Sequence, residues 1–262
     1  MRFSLCIEMF YPRLDFSKRL AFIAEAGFGA IEFWSPYDKD LAALGDQAKQ
    51  LGLEVANFSA HRQHSPVLQE DLDGFLEEVT RNARAAERLG CEQLMVLSDA
   101  LQADGSAKPA SSSAVQQRKN LLIALRRAAR IAEGAGILLC LEPLNLQDHP
   151  GYFLHRSEQA FELIKEVDSP HLKVLYDIYH MQRQEGHILE TIERHIQSIG
   201  YFHVADVPGR FEPGSGELNY PNILGAIDRL GFVGTIGFEC RPQAGEPDAF
   251  GRIRTLIRPF QA

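Results

Sequence analysis

Ile137-Leu138-Leu139-Cys140-Leu141-Glu142 is the run that decides how this chain folds. An unbroken apolar run follows a helix-stopping Gly136 and ends at a carboxylate. It is too short for a buried helix, so it reads as a strand covered on both faces, as in a parallel sheet. Outward from it, short β-rich runs alternate with longer amphipathic stretches in both directions. Strands are predicted at residues 2–7, 30–33, 54–58, 93–97, 137–141, 173–176, 201–204 and 235–238. Helices are predicted at 16–26, 40–51, 69–89, 115–134, 157–167, 189–198, 221–230 and 248–256.

Several helices have a readable start: Asp15, Ser113, and Asn219 or Tyr220 with Pro221 in the first turn. Many stop at glycine, at Gly27, Gly52, Gly90, Gly136 and Gly231. Strict strand–helix alternation implies a parallel sheet with helices outside it. Eight such units in 262 residues suit a closed barrel better than an open sheet. No Gly-x-Gly-x-x-Gly follows the first strand and no Gly-x-x-x-x-Gly-Lys-Ser/Thr occurs, so nucleotide folds lose their usual marker. The predicted class is α/β, a single (β/α)8 TIM-barrel domain over residues 1–262. The polar stretch 98–112 after the fourth strand lies on the face where barrel loops build sites. No internal repeat is visible beyond the alternation itself.

The balance of 27 Lys+Arg against 35 Asp+Glu, net −8, argues against a nucleic-acid partner, which needs a basic surface. A composition of 45% hydrophobic and 24% charged residues is that of a globular chain, not a disordered one. The first eight residues contain no signal-like apolar stretch and no run is long enough to cross a bilayer, so no membrane partner is expected. Cys6, Cys91, Cys140 and Cys240 show no Cys-x-x-Cys spacing and read as small buried hydrophobes. A cytoplasmic enzyme is the expectation.

Barrel enzymes carry reacting groups at the carboxyl ends of their strands. Four strands of the second half end in a metal-competent side chain: Glu142, Asp177, His203 and Glu239. If these face the barrel axis, period-2 alternation turns Leu141, Tyr176, Phe202 and Phe238 toward the helices, and all four are large and apolar. Gly237 then faces inward, where space is tight. Three carboxylates and an imidazole converging in a barrel mouth would repel without a cation. The donor set suits one divalent metal ion, Mn²⁺ or Mg²⁺ first, with Co²⁺ or Zn²⁺ as alternatives.

The segments Glu142-Pro143-Leu144-Asn145, Asp148-x-Pro150-Gly151, Asp177-Ile178-Tyr179-His180-Met181-Gln182 and Ala205-Asp206-Val207-Pro208-Gly209-Arg210 resemble the hydroxypyruvate isomerase family. So do the run from Glu212 to Tyr220, Gly237-Phe238-Glu239, and Pro36-Tyr37-Asp38. That family belongs to the xylose-isomerase-like TIM barrels, with the ketose 3-epimerases and 2-oxo-tetronate isomerases. The resemblance implies that Glu142, Asp177, His203 and Glu239 bind one divalent metal and that Glu142 and Glu239 are the catalytic acid/base pair. It also implies that His180 contacts a substrate oxygen, and that the barrel self-associates as a homo-oligomer. Two loops depart from the pattern. Ser59-Ala60-His61-Arg62-Gln63-His64 replaces a Gly-Asp-Trp type loop, and Ser98-Asp99-Ala100-Leu101 lacks Gly-Lys. Both are expected to line the substrate.

The function implied is isomerisation of a small hydroxy-carbonyl substrate, hydroxypyruvate to tartronate semialdehyde or a 2-oxo-tetronate, through a cis-enediolate. A ketose 3-epimerase and a metal-dependent polyol dehydratase are the alternatives. An abasic-site endonuclease would need a histidine-rich trinuclear cluster and a basic face, and a non-catalytic binding protein would lack a ligand. An acidic substrate needs a planar cationic fork. Arg210 is the first candidate for it, followed by His61, Arg62 and Arg241; a loop salt bridge from Arg210 to Asp206, Glu212 or Glu217 is the competing role. Trp34 is either a pocket wall or core. His149, His155, His171, His187 and His195 read as surface or loop residues.

Overall fold

In the computed structural model, which describes residues 1–261, eight parallel strands close into one barrel. They are β1 (Arg2–Cys6), β2 (Ala30–Phe33), β3 (Glu54–Ser59), β4 (Gln93–Leu97), β5 (Leu138–Glu142), β6 (Leu172–Asp177), β7 (Ile199–Val204) and β8 (Thr235–Phe238). Each pairs with its sequence neighbour, and β8 closes on β1. Between them run α1 (Phe16–Glu25), α2 (Leu41–Gln50), α3 (Leu72–Leu89), α4 (Ala114–Ala135) and α5 (Ser157–Val167). The second half adds α6 (Ile178–Gln184), α7 (Ile188–His195), α8 (Tyr220–Arg229) and α9 (Glu246–Ile257).

The helices form where the local chemistry directs. Asp40 accepts from the amides of Ala42 and Ala43 at 3.1 Å each and so caps α2, a contribution of about 1 kcal/mol. Ser113 and Asn219 cap α4 and α8 in the same way. Asp15 stands at the α1 N-cap, but its side chain makes no capping bond. Gly90 and Gly136 end the two longest helices with φ of 64° and 66°, a left-handed turn that glycine adopts without a Cβ penalty.

One helix escaped the sequence reading. α6 begins immediately after β6, and the carboxylate of Asp177 caps it by accepting from the amide of His180 at 3.1 Å. A single aspartate therefore ends a strand, starts a helix and points a second oxygen into the barrel mouth.

The barrel interior agrees with the period-2 argument. A Cβ on Gly237 would lie 2.4 Å from the Glu32 carboxylate, so the glycine leaves room for a buried charge. On the other parity, Tyr176 lies against Phe202, and Phe202 against Phe232, with ring centroids 6.1 and 4.9 Å apart. All four cysteines are buried and unpaired. No helix of the described residues is long and apolar enough to cross a membrane.

Candidate metal centre and active site

The four strand-end donors meet at the carboxyl end of the barrel. Register sets Asp177 beside His203, and His203 beside Gly237. One ligand atom from each of Glu142, Asp177, His203 and Glu239 lies within 4.8 Å of all the others, and all four residues are buried. His203 Nδ1 stands 3.3 Å from Glu142 Oε1 and 3.1 Å from Glu239 Oε2.

Such a cluster is electrostatically costly. Burial pushes Glu142 up to about 7 and raises Asp177, since each is removed from water near other carboxylates. Glu239 is also buried, but Arg210 and His203 overcome that and hold it well below the ordinary carboxylate range. Burial disfavours a charged His203, yet Glu32 and Glu239 raise its pKa regardless. Among the described residues, Arg210 and His203 are the positive groups set against these three carboxylates. Oxygen donors from three carboxylates and one imidazole nitrogen, gathered within 4.8 Å of one another, are able to hold one metal ion.

Arg210 is not paired with Asp206, Glu212 or Glu217. Its guanidinium lies against Glu239 Oε2, 3.4 Å from Asp177 Oδ2, with the Tyr179 ring centroid at 5.2 Å. Asp206 instead accepts from the amides of Val207, Gly214, Gly216 and Leu218 at 2.8–3.0 Å, tying together the loop that presents Arg210. A Cβ on Gly216 would sit 2.1 Å from the Val207 carbonyl, which explains the glycine there. Glu212 accepts from the amide of Gln243, and Glu217 from Gln182.

His180 is buried, and its Nδ1 accepts from the side-chain amide of Asn145 at 2.7 Å. Burial lowers its pKa well below the usual value, so it is neutral with its proton on Nε2, which stands 3.6 Å from Asp177 Oδ2. It offers a fixed donor, not a charge.

A cavity of about 220 Å³ opens over the cluster, and its wall includes Trp34, Arg62, Glu142, His180, Arg210 and Glu239. Trp34 is therefore a pocket wall, and its indole N–H donates to Glu239 Oε1. Gln102 and Gly105 bring the 98–112 loop over the pocket as expected. A larger groove of about 860 Å³ lies on α3 and α4, lined by Arg81, Arg84 and Arg127 among others, and contains none of the cluster residues.

One histidine expectation needs correcting. His61 does not line the cavity: its Nδ1 donates to the His64 carbonyl at 3.0 Å and its Nε2 accepts from the amide of Leu97 at 3.1 Å. Burial lowers it to about 4, so it is a neutral clamp between β3 and β4. His149, read as a surface or loop residue, lies in the loop between β5 and α5, where it lines the cavity with its Nδ1 bonded to the Gly105 carbonyl at 2.9 Å.

The sequence reading passed over Glu32. It is buried inside the barrel beneath the cluster, its Oε1 3.3 Å from His203 Nε2. Its Oε2 accepts from the hydroxyls of Tyr201 and Ser4. The signal was present: a carboxylate in the middle of Ala30-Ile31-Glu32-Phe33, a strand with no exposed position. By engaging Nε2, Glu32 leaves His203 Nδ1 facing Glu142 and Glu239.

With this geometry in place, comparison with known proteins gives the family. The model of the xylose isomerase-like TIM barrels matches residues 20–257. The chain belongs to the xylose isomerase-like TIM barrel family. A 2-oxo-tetronate isomerase of Cupriavidus necator is 34% identical over 264 residues, 98% of each chain. The hydroxypyruvate isomerase of Escherichia coli is 33% identical over 250 residues, 93% of this chain and 94% of that one. These full-length relatives place this member of the family among the isomerases, in agreement with the resemblance read from its motifs. A family 2 AP endonuclease from Brucella melitensis has a crystal structure that superposes with a TM-score of 0.90 at 26% identity, covering 100% of this chain and 99% of that one.

Proposed function

We propose that this barrel is a metal-dependent isomerase of small 3-hydroxy-2-oxo acids, interconverting hydroxypyruvate and tartronate semialdehyde or acting on a 2-oxo-tetronate. The observation that carries the reading is the pair Glu142 and Glu239. They share one buried cluster, and both line the cavity that opens over it. Two carboxylates on one cavity wall are placed to act as acid and base toward one substrate.

A bound divalent cation, held by Glu142, Asp177, His203 and Glu239, would supply Lewis acidity for the substrate oxygens. Mn²⁺ or Mg²⁺ matches the oxygen-rich donor set best. Glu239, ionised and oriented by Trp34 and Arg210, takes the proton from the hydroxyl-bearing carbon. Glu142, the second carboxylate of the pair, is the group that returns a proton to the adjacent carbon, and proton exchange with solvent restores both carboxylates for the next turnover. His180 donates from Nε2 to the oxygen on which charge develops, and the hydroxyl proton passes from one oxygen to the other. The molecular formula is unchanged. Return of the proton to the same carbon from the opposite face would make an epimerase.

The test is proton exchange in D₂O with Mn²⁺, offering hydroxypyruvate, a 2-oxo-tetronate and a neutral ketose. The expected result is deuterium in a 2-hydroxy aldehyde or isomeric keto acid product, read by NMR. Net loss of water, or epimerised ketose as the sole product, would overturn the reading.

Glu32 provides a second check as a positioning residue. Glu32→Gln leaves the cluster intact but weakens the hold on His203 Nε2, so Mn²⁺ affinity is expected to fall about 10–100-fold. Calorimetric titration of Mn²⁺ into the variant measures this directly, and an unchanged affinity would remove Glu32 from the site.

A further inference from the structure

Among the described residues, the cavity wall carries two guanidinium groups, Arg62 and Arg210. Arg210 is engaged by Glu239 and Asp177. Arg62 is different: its guanidinium makes no hydrogen bond or ion pair with any described residue, although the side chain is only partly exposed. The other candidate cations are accounted for. Arg241 donates to the Gly209 carbonyl and lies over the Phe211 ring, and His61 is held neutral by backbone groups.

The backbone beneath Arg62 is held in place. Glu78 of α3 is buried, and its carboxylate accepts from the amides of Arg62 and Gln63 at 2.7 and 3.2 Å. The same carboxylate is bonded to the Tyr37 hydroxyl and to His64 Nδ1. Asn82 donates to the Ala60 carbonyl at 2.9 Å, fixing the start of the segment. A loop this tightly bound, bearing one unpaired cation on the wall of a small cavity, is preorganised for an anion.

Among the described residues, Arg62 is the cavity guanidinium for which the protein supplies no partner. We infer that Arg62 anchors the substrate carboxylate, selecting 2-oxo acids over neutral ketoses of the same length. The inference rests on the isomerase reading and narrows its substrate class. A guanidinium fork meets a carboxylate bidentately, which an ammonium does not. It also gives the divergent 59–64 segment a task, since that loop carries the selecting group.

The experiment compares wild-type protein, Arg62→Gln and Arg62→Lys, all loaded with Mn²⁺, on a 2-oxo acid and on a neutral hydroxy ketone. Because the guanidinium has no partner among the described residues, both variants should fold. For Arg62→Gln, KM for the acid is expected to rise about 10–100-fold with a much smaller change in kcat, and the acid-to-ketone preference to fall by the same factor. Arg62→Lys should fall between the two. An unchanged KM, or an equal loss on both substrates, would overturn the assignment while leaving the isomerase reading standing. A wild-type protein that turns over no 2-oxo acid would defeat both.

Discussion

Glu239→Gln is expected to lower turnover of the keto acid about 10²–10⁴-fold, the usual contribution of a positioned proton-transfer group, and Glu142→Gln to do the same. Glutamine keeps the shape and one oxygen donor but cannot take up or release a proton. Each residue is also a candidate ligand, so loss of metal could mimic loss of the base. The two causes separate under excess Mn²⁺. A variant deficient only in metal regains activity as the site fills, whereas one lacking the proton carrier stays inactive at full occupancy. Measured metal content, far-UV circular dichroism and single-turnover deuterium exchange together give the answer. Recovery of normal exchange at saturating Mn²⁺ would reject the acid/base roles.

The two variants should also differ from each other. Glu239 is held ionised by Arg210 and His203, and its removal leaves Arg210 with Asp177 alone at 3.4 Å. Glu142 has no guanidinium partner and is raised to about 7. Glu142→Gln therefore removes a repelling charge, and the metal-free variant should be the more stable of the two against heat.

The barrel was legible because its signals are local. A run such as 137–141 announces a strand by its length and its bounding glycine, and period-2 alternation then fixes which side chains point inward. That is how Glu142, Asp177, His203 and Glu239 were named together, and barrel closure brings them within 4.8 Å. Less regular backbone has no such period. His61 and Arg62 are adjacent, yet one is bonded to strand backbone and the other reaches the cavity, because Glu78, from a different element, sets the loop. The partners of Arg210 were missed for a related reason. Asp206 was the near neighbour in sequence, but four backbone amides occupy it. The helix after Asp177 was hidden because it is only 7 residues long and starts on a residue already assigned to a strand end.

Removing the metal should abolish turnover, and adding Mn²⁺ should raise the melting temperature by an amount that grows with pH. At a free-ion concentration of about 100 Kd, a ligand that binds only the folded state stabilises it by about 2.7 kcal/mol. For a chain of this length that corresponds to roughly 5–10 °C. The pH dependence follows from the protons the metal must displace. Glu142 has a folded pKa of about 7, above the ordinary 4.5, so the metal-free folded state holds this proton more tightly than the unfolded chain does. Stability of the metal-free protein therefore falls as pH rises from about 4.5 through 7. His203 acts in the same direction: its raised folded pKa contributes stability that is present below the unfolded value and lost as pH climbs through the folded one. Glu239 acts oppositely, but its depressed pKa places that change in the acid range, below the window tested. Metal binding needs Glu142 ionised and His203 neutral, so its affinity should fall by at least about tenfold per pH unit below 7 and go on rising above 7 until His203 loses its proton. At pH 5.5 the same Mn²⁺ concentration should give at most about a third of the shift seen at pH 8. Equal shifts at both pH values would mean that binding displaces no proton from Glu142 or His203, and no shift at either would mean that the four donors do not hold a cation.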